Sequence, residues 1–283
     1  MGSLDGRVAV ITGAGRGLGR EHALLFAAEG AAVVVNDLGS AADEVVAEIH
    51  ATGGKALASD DAITTWAGGQ ALIRRAVDGF GRLDVLVNNA GILRDRMLVS
   101  MSEQEWDEVV EVHLKGHFIP TRFAAAYWRE QAKAGQPVQA SVIHTSSTSG
   151  LLGNPGQTNY GAAKAGIGAF SIICAQELAS YGVRSNCIAP AARTRLTEAT
   201  PGLGEMVAAP TEGFDVWDPA NVSPVVAYLA TADCPITGRT FFVQGGMVRV
   251  MEPWHLGTRL ERDDRWTIDD LAEQLPGVSD ISL

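Results

Sequence analysis

The chain reads as an α/β protein built on a doubly wound parallel sheet. Three observations predict this. Short β-branched runs alternate with longer helical stretches along most of the sequence. The runs are apolar at successive positions, as strands buried on both faces must be. The first of them passes straight into a glycine-rich turn that opens a helix, Thr12-Gly13-Ala14-Gly15-Arg16-Gly17-Leu18-Gly19.

The elements follow in order. Residues 7–12 form the first strand and 18–29 the helix after the glycine turn. Ala-Val-Val-Val-Asn at 32–36 is the second strand, and 42–52 its helix. A third strand at 56–59 leads to a helix at 69–80, and a fourth strand spans 85–88. The fifth covers 140–145 and the sixth 184–188. Between them, residues 162–179 are apolar on more than one face, which predicts a buried helix packed in the core or against another subunit. Asp218-Pro219 reads as an N-cap with proline at the first helical position, opening a helix at 220–230. The seventh strand is 240–243. From residue 247 the texture changes, with Trp254, Trp266 and a charged stretch at 259–265. Residues 251–283 are therefore expected to be a C-terminal extension packed on the domain or at a subunit interface.

Composition narrows the partners. A net charge of -11 disfavours nucleic acid and anionic membranes. No apolar run approaches the length of a membrane span. Three cysteines, Cys174, Cys187 and Cys234, form no close-spaced motif and fit a reducing compartment. With no secretory core at the N-terminus and no peroxisomal tripeptide at the C-terminus, a cytoplasmic location is expected.

The chemistry centres on HTSSTSGLLGNPGQTNYGAAKAG at 144–166. Tyr160 and Lys164 stand four apart, so a helix presents phenol and ammonium on one face. A nearby cation favours the phenolate and would bring the tyrosine toward neutrality. Tyr160 then serves as an acid or base for an alcohol or ketone, and Ser147 can hydrogen-bond the same oxygen. Alone, the pair is equally a surface contact. In the glycine turn, Gly13, Arg16, Gly17, Leu18 and Gly19 allow close backbone approach to a pyrophosphate at a helix N-terminus. Asp37, followed by Leu38 at the end of the second strand, is placed to bond both hydroxyls of an adenine ribose and to repel a 2′-phosphate. That favours NAD over NADP. Arg16 argues the other way, and a helix N-cap is the alternative role for Asp37.

These residues, with Asn88-Asn89-Ala90-Gly91 and the strand end Ile188-Ala189-Pro190, resemble the short-chain dehydrogenase/reductase family over roughly the first 250 residues. The resemblance implies one NAD-binding Rossmann-type domain over 1–250, with a seven-stranded parallel sheet and the substrate site included. It implies Tyr160 as acid/base, Ser147 holding the substrate oxygen, and Lys164 binding the nicotinamide ribose. Asp61 and Ala62 would meet the adenine, and Asn89, Ala90 and Gly91 would line the cofactor. Pro190, Arg193 and Thr194 would lie by the carboxamide, although the usual Pro-Gly is Pro190-Ala191 and the expected threonine is displaced. Narrower runs, NNAGILRDR at 88–96, VHLKG at 112–116 and GNPGQ at 153–157, are similar to the (3R)-hydroxyacyl-CoA dehydrogenase domain of peroxisomal multifunctional enzyme type 2. In that subgroup His113 replaces the asparagine that anchors a relay water in many family members.

The expected activity is oxidation of a secondary alcohol or reduction of a ketone with NAD. A (3R)-3-hydroxyacyl-CoA is the substrate, in a homodimer or homotetramer. The alternatives are a hydroxysteroid, a 3-oxoacyl group on acyl carrier protein reduced with NADPH, and a catalytically silent NAD-binding module. Arg94, Arg96, Lys115, Arg193 and Arg195 either meet the phosphates of coenzyme A or form surface salt bridges. The segment at 196–214 is expected to border the substrate. His113 and His117 are four apart but lack a third ligand, so no metal is expected.

Overall fold

The computed structural model describes residues 2–194, 204, 207–252 and 255–278. Arg195, Trp254 and most of the expected substrate-bordering segment (196–203, 205 and 206) lie outside the described residues. The chain divides into two compact units, Met1–Met251 and Glu252–Leu283.

In the first unit the strands are β1 (Val8–Thr12), β2 (Ala32–Asn36), β3 (Lys55–Ser59), β4 (Val85–Asn88), β5 (Ala140–Thr145), β6 (Val183–Pro190), β7 (Thr240–Gln244) and β8 (Met247–Met251). They form one sheet in the order β3-β2-β1-β4-β5-β6-β7-β8. The seven expected strands are all present and parallel. The strand count is corrected to eight, because β8 adds antiparallel to β7 with Gln244 opposite Met247. Gly245 and Gly246 alone connect them, a two-residue hairpin in which Gly245 takes φ 52°. The changed texture after residue 246 concealed a strand whose side chains are mostly exposed.

Helices cover both faces. They are α1 (Gly17–Ala28), α2 (Ala41–Ala51), α3 (Trp66–Phe80), α4 (Glu103–Val110), α5 (Gly116–Lys133), α6 (Thr148–Leu152), α7 (Thr158–Leu178) and α8 (Ser223–Ala230). Strand residues of one parity, such as Ala9, Ile11, Val33, Val35 and Val87, pack on Phe26, Val45, Ile49 and Val226 of α1, α2 and α8. Those of the other parity, such as Val8, Val10, Val34, Leu86 and Val142, pack on Leu72, Ile119, Phe123, Trp128 and Cys174 of α3, α5 and α7. This two-sided burial is why the strands are apolar at every position. Asp218 caps as expected, accepting from Ala220 N–H at 2.9 Å, and a short 3₁₀ turn (Pro219–Val222) precedes α8. Within α7, Ile167 is buried but Ile173 is half exposed, so the helix is less enveloped than its composition predicted.

Between α4 and α5 the chain makes a π-helical turn, Glu111–Lys115, and Pro120 lies in the following helix. Such widened turns cluster at functional sites. Here the turn carries His113. In the second unit, α9 (Ile268–Gln274) begins with a reciprocal cap between Thr267 and Asp270.

Four histidines are enclosed in the first unit: His22, His113, His117 and His144. Burial is the leading cause that lowers the pKa of each, to about 3 for His22 and His144 and well below the ordinary value for His113 and His117. Their unfolded forms protonate near ~6.5, so the unfolded chain binds more protons below that pH. Stability is thus held above pH ~6.5 and is lost progressively as pH falls below it, down to about 3 for His22 and His144. Urea unfolding followed by circular dichroism between pH ~7.5 and ~5 should show this loss. His22→Gln should make it shallower, and a flat profile would contradict neutral burial.

Candidate active site

The site lies where the strand order turns, at the carboxyl ends of β1 and β4. Gly13 takes φ 62°, and a Cβ there would sit 2.6 Å from Ala90 Cα. The glycine turn and the Asn88-Asn89-Ala90-Gly91 turn are thus packed backbone to backbone. Asn89 joins them: its Nδ2 donates to Thr12 O at 3.0 Å and Gly13 O at 3.1 Å. Thr12 Oγ1 accepts from Asn89 N–H and Ala90 N–H. Arg16 is the extended N-cap of α1 and brings no capping side chain, which leaves the first turn's N–H groups to a ligand.

Asp37 ends β2. Its Oδ2 accepts from Gly15 N–H at 2.9 Å and its Oδ1 from Leu38 N–H at 2.8 Å. Ser40, not Asp37, precedes α2 as its N-cap residue, so the capping alternative falls away. Asp61 is oriented by Ser59 Oγ, which donates to Oδ2 at 2.8 Å, and by an ion pair with Arg75.

Ser147 caps α6. Its Oγ accepts from Ser149 N–H at 3.2 Å, which leaves the hydroxyl proton to donate elsewhere. Tyr160 and Lys164 occupy the first turns of α7, with Lys164 Nζ 5.4 Å from the Tyr160 ring centroid. Lys164 is almost wholly buried, and its Nζ donates to Thr145 O at 2.6 Å. His113 stands edge-on to Tyr160 with ring centroids 5.1 Å apart. Its Nε2 lies 2.7 Å from Ile92 O and 3.1 Å from Ile92 N, and its Nδ1 is buried without a hydrogen-bond partner.

One expectation is corrected by this geometry. Tyr160 is not drawn toward neutrality: burial pushes its phenol up to about 12, partly offset by a hydrogen bond with Ser147. Lys164 is instead the group near neutrality, lowered to about 7 by burial. Its ammonium is directed to the Thr145 carbonyl rather than to the phenol oxygen, so the four-residue spacing alone does not couple the two charges.

Of the anticipated residues, Gly13, Arg16, Gly17, Leu18, Asp37, Leu38, Asp61, Ala62, Asn89, Ala90, Gly91, His113, Ser147, Tyr160, Lys164, Pro190 and Thr194 line a single cavity of about 930 Å³. Two do not. Gly19 lies beneath the turn, where a Cβ would meet Gly13 O at 2.2 Å. Arg193 is turned away, paired with Asp215 and donating to Val207 O at 2.9 Å. The cavity also takes in Ser149, Asn154, Gln157 and Trp217, which the sequence reading did not single out. GNPGQ was noted there only as a resemblance; its polar side chains were the available sign.

Of the positive residues read either as coenzyme A contacts or as surface salt bridges, three form salt bridges. Arg94 pairs with Glu108 at 2.7 Å, Arg96 with Glu105 at 3.0 Å and Lys115 with Glu111 at 2.9 Å. Among the described residues, no cluster of three or more histidine, cysteine, aspartate or glutamate side chains is placed to hold a metal. Nor is any helix among them long and apolar enough to cross a membrane.

A nucleotide-type cradle at a sheet crossover, opening on tyrosine, lysine and serine, defines a dinucleotide-binding oxidoreductase architecture. The model of the short chain dehydrogenase family matches residues 7–206. Over 282 residues the chain is 47% identical to the hydroxyacyl-CoA dehydrogenase ChsB1 of Mycobacterium tuberculosis, covering 96% of this chain and 88% of that one. It is 42% identical to peroxisomal multifunctional enzyme type 2 of Drosophila melanogaster, covering 98% of this chain but 46% of that protein. The crystal structure of a short chain dehydrogenase from Mycobacterium avium superposes with a TM-score of 0.89 at 47% identity, covering 98% of this chain and 95% of that one. The chain belongs to the short chain dehydrogenase family, and it is an oxidoreductase acting on CH–OH groups.

Proposed function

We propose that the protein is an NAD-dependent dehydrogenase interconverting a (3R)-3-hydroxyacyl-CoA and its 3-ketoacyl-CoA. The observation that carries this is the convergence of Ser147, Tyr160, Lys164 and His113 on the cavity that the glycine turn opens. The cradle fits a dinucleotide: Gly13 and Gly17 both take positive φ, and no side chain caps the N-terminus of α1. Gly13, Gly17 and Leu18 would hold the pyrophosphate, Asp37 the adenine ribose, Asp61 and Ala62 the adenine, and Lys164 the nicotinamide ribose. When bound, NAD supplies the acceptor for the hydride of the carbinol carbon.

In alcohol oxidation Tyr160 takes the hydroxyl proton onto its Oη, and in ketone reduction it returns that proton to the carbonyl oxygen. Ser147 donates its free hydroxyl proton to the same substrate oxygen and fixes its distance from Tyr160. His113, neutral and enclosed, holds the loop at Ile92, which also lines the cavity. We further propose a cytoplasmic homo-oligomer. Buried, free Cys174, Cys187 and Cys234 support a reducing compartment, and the half-exposed Phe118 and Ile173 of α5 and α7 support contact between copies.

Arg16, exposed beside the cradle, favours a second reading in which NADPH serves reduction. Asp37 opposes it by repelling a 2′-phosphate. Asp37→Ala should lower the ratio of kcat/KM with NAD to that with NADP by about tenfold or more, each 1.4 kcal/mol of lost discrimination being one factor of ten. An enzyme that prefers NADP before mutation would overturn the assignment.

Substrate class is tested by turnover of NAD with a panel of 3-hydroxyacyl-CoAs, matched short pantetheine thioesters and hydroxysteroids. The 3R thioester of CoA should be preferred over its 3S isomer and over the truncated thioester, because binding a remote handle orients the reacting carbon. A steroid alcohol that outperforms every CoA thioester would replace this reading.

A further inference from the structure

Asp95 lies outside the cavity wall but is connected to it. Its Oδ2 accepts from Gln157 Nε2 at 2.9 Å. Gln157 Oε1 accepts in turn from Ser149 Oγ at 2.8 Å and Asn154 Nδ2 at 2.9 Å. Gln157, Ser149 and Asn154 all face the cavity. The backbone makes the same connection. Arg96 N–H donates to Gly156 O at 2.8 Å, and Arg96 and Gln157 form an isolated parallel bridge. Fully buried Asn159 donates to Arg94 O at 3.0 Å and accepts from Tyr160 N–H at 2.7 Å. The segment carrying Asp95 is therefore clasped to the first turn of the helix that carries Tyr160.

The charge balance of this clasp is uneven. Arg94 and Arg96 flank Asp95 in sequence but pair with Glu108 and Glu105 instead. Among the described residues Asp95 has no ion pair, and its Oδ1 is buried without a hydrogen-bond partner. A carboxylate compensated on one oxygen only keeps a strong local field. The groups that face Tyr160 are few. Lys164 comes from its own helix, with Nζ held at Thr145 O; His113 comes from the π turn and is neutral; Ser147 brings a hydroxyl. The hydrogen bond to Gln157 and the Asn159 link set the Asp95 carboxylate beside the turn that carries Tyr160.

We propose that Asp95 is a positioning residue: through Gln157 and the clasp it holds a fixed negative charge near Tyr160 and biases the phenol toward its protonated, proton-donating form. The inference rests on the reading of Tyr160 as the acid/base. It favours ketone reduction near neutrality and moves alcohol oxidation to higher pH.

Two variants separate charge from structure. Asp95→Asn removes the charge but keeps the shape and an acceptor for Gln157. Gln157→Met removes the hydrogen bond and keeps the charge. Two quantities are measured for each: the pH profile of kcat/KM in both directions with 3-hydroxybutyryl-CoA and acetoacetyl-CoA, and the ultraviolet tyrosinate titration of the NAD-bound protein with Tyr160→Phe as blank. Asp95→Asn should lower both inflections by about one pH unit, whereas Gln157→Met should reduce rate without lowering either. An equal loss of rate at every pH with unmoved inflections would make Asp95 purely structural and overturn the proposal. So would a downward shift in Gln157→Met as large as that in Asp95→Asn. If the wild type turns over neither substrate while the tyrosinate titration still moves in Asp95→Asn, the substrate assignment fails and the role of Asp95 stands.

Discussion

Tyr160→Phe is expected to lower kcat for alcohol oxidation by about 10²–10⁴-fold, the usual contribution of a general acid/base group, while leaving NADH affinity nearly unchanged. The substitution deletes one hydroxyl. The ring remains to pack edge-on against His113 at 5.1 Å and beneath Lys164 Nζ at 5.4 Å, so fold and cradle are preserved. What disappears is the only tyrosine hydroxyl that lines the cavity among the described residues. In the wild type, oxidation should rise with pH, because the phenol must be deprotonated to receive the alcohol proton and burial opposes that step. The measurements are steady-state kinetics across pH and fluorescence titration with NADH. Near-normal turnover in the Phe variant would move proton transfer to another group.

Gly19→Ala is expected to weaken NADH binding by at least about tenfold, roughly 1.4 kcal/mol, and to lower thermal stability. A Cβ at this position would lie 2.2 Å from Gly13 O and 2.5 Å from Asn89 Nδ2. The first contact is with backbone and cannot be relieved by turning a side chain. The Gly13 carbonyl must move, and with it the Asn89 bracket that joins the two turns of the cradle. Overpacking of this kind costs about 1–3 kcal/mol, and each kcal/mol lowers Tm by about 2–4 °C in a chain of this size. Gly39 offers a control, since a Cβ there would meet nothing within 4 Å, although its φ of 76° still disfavours a side chain. NADH titration and differential scanning calorimetry would check the effect. Unchanged affinity in Gly19→Ala would show that the turn does not shape the cofactor site.

Much of the site was legible in the sequence because its parts are local. The glycine turn follows a strand and opens a helix within one short stretch, and Tyr160 and Lys164 share a helix face through their spacing alone. Asp37 was placed by its position at a strand end. His113 was suggested only by resemblance, since nothing in its own neighbourhood predicts the π turn that brings it to Ile92. The arginines show the opposite difficulty. Arg94 and Arg96 were left open between phosphate contacts and salt bridges, and each finds a carboxylate on α4, nine or more residues away. The hairpin to β8 was not read from the sequence, because the strand after Gly245-Gly246 is mostly exposed and lacks the apolar run of the others.

By itself, the sequence determined the parallel sheet, its two buried faces, the glycine turn at the end of β1 and the shared helix face of Tyr160 and Lys164. Each follows from apolar periodicity, turn chemistry or spacing within a helix, which act over a few residues. Only the tertiary structure decided the electrostatic state of the site. The Thr12–Asn89 bracket, the Thr145 carbonyl that takes Lys164 Nζ, the neutral His113 and the Asp95–Gln157 clasp join residues between 19 and 77 positions apart. Burial and the choice of hydrogen-bond partner depend on which distant segments the fold brings together. They set whether a phenol, an ammonium or an imidazole is charged, and no local pattern encodes that.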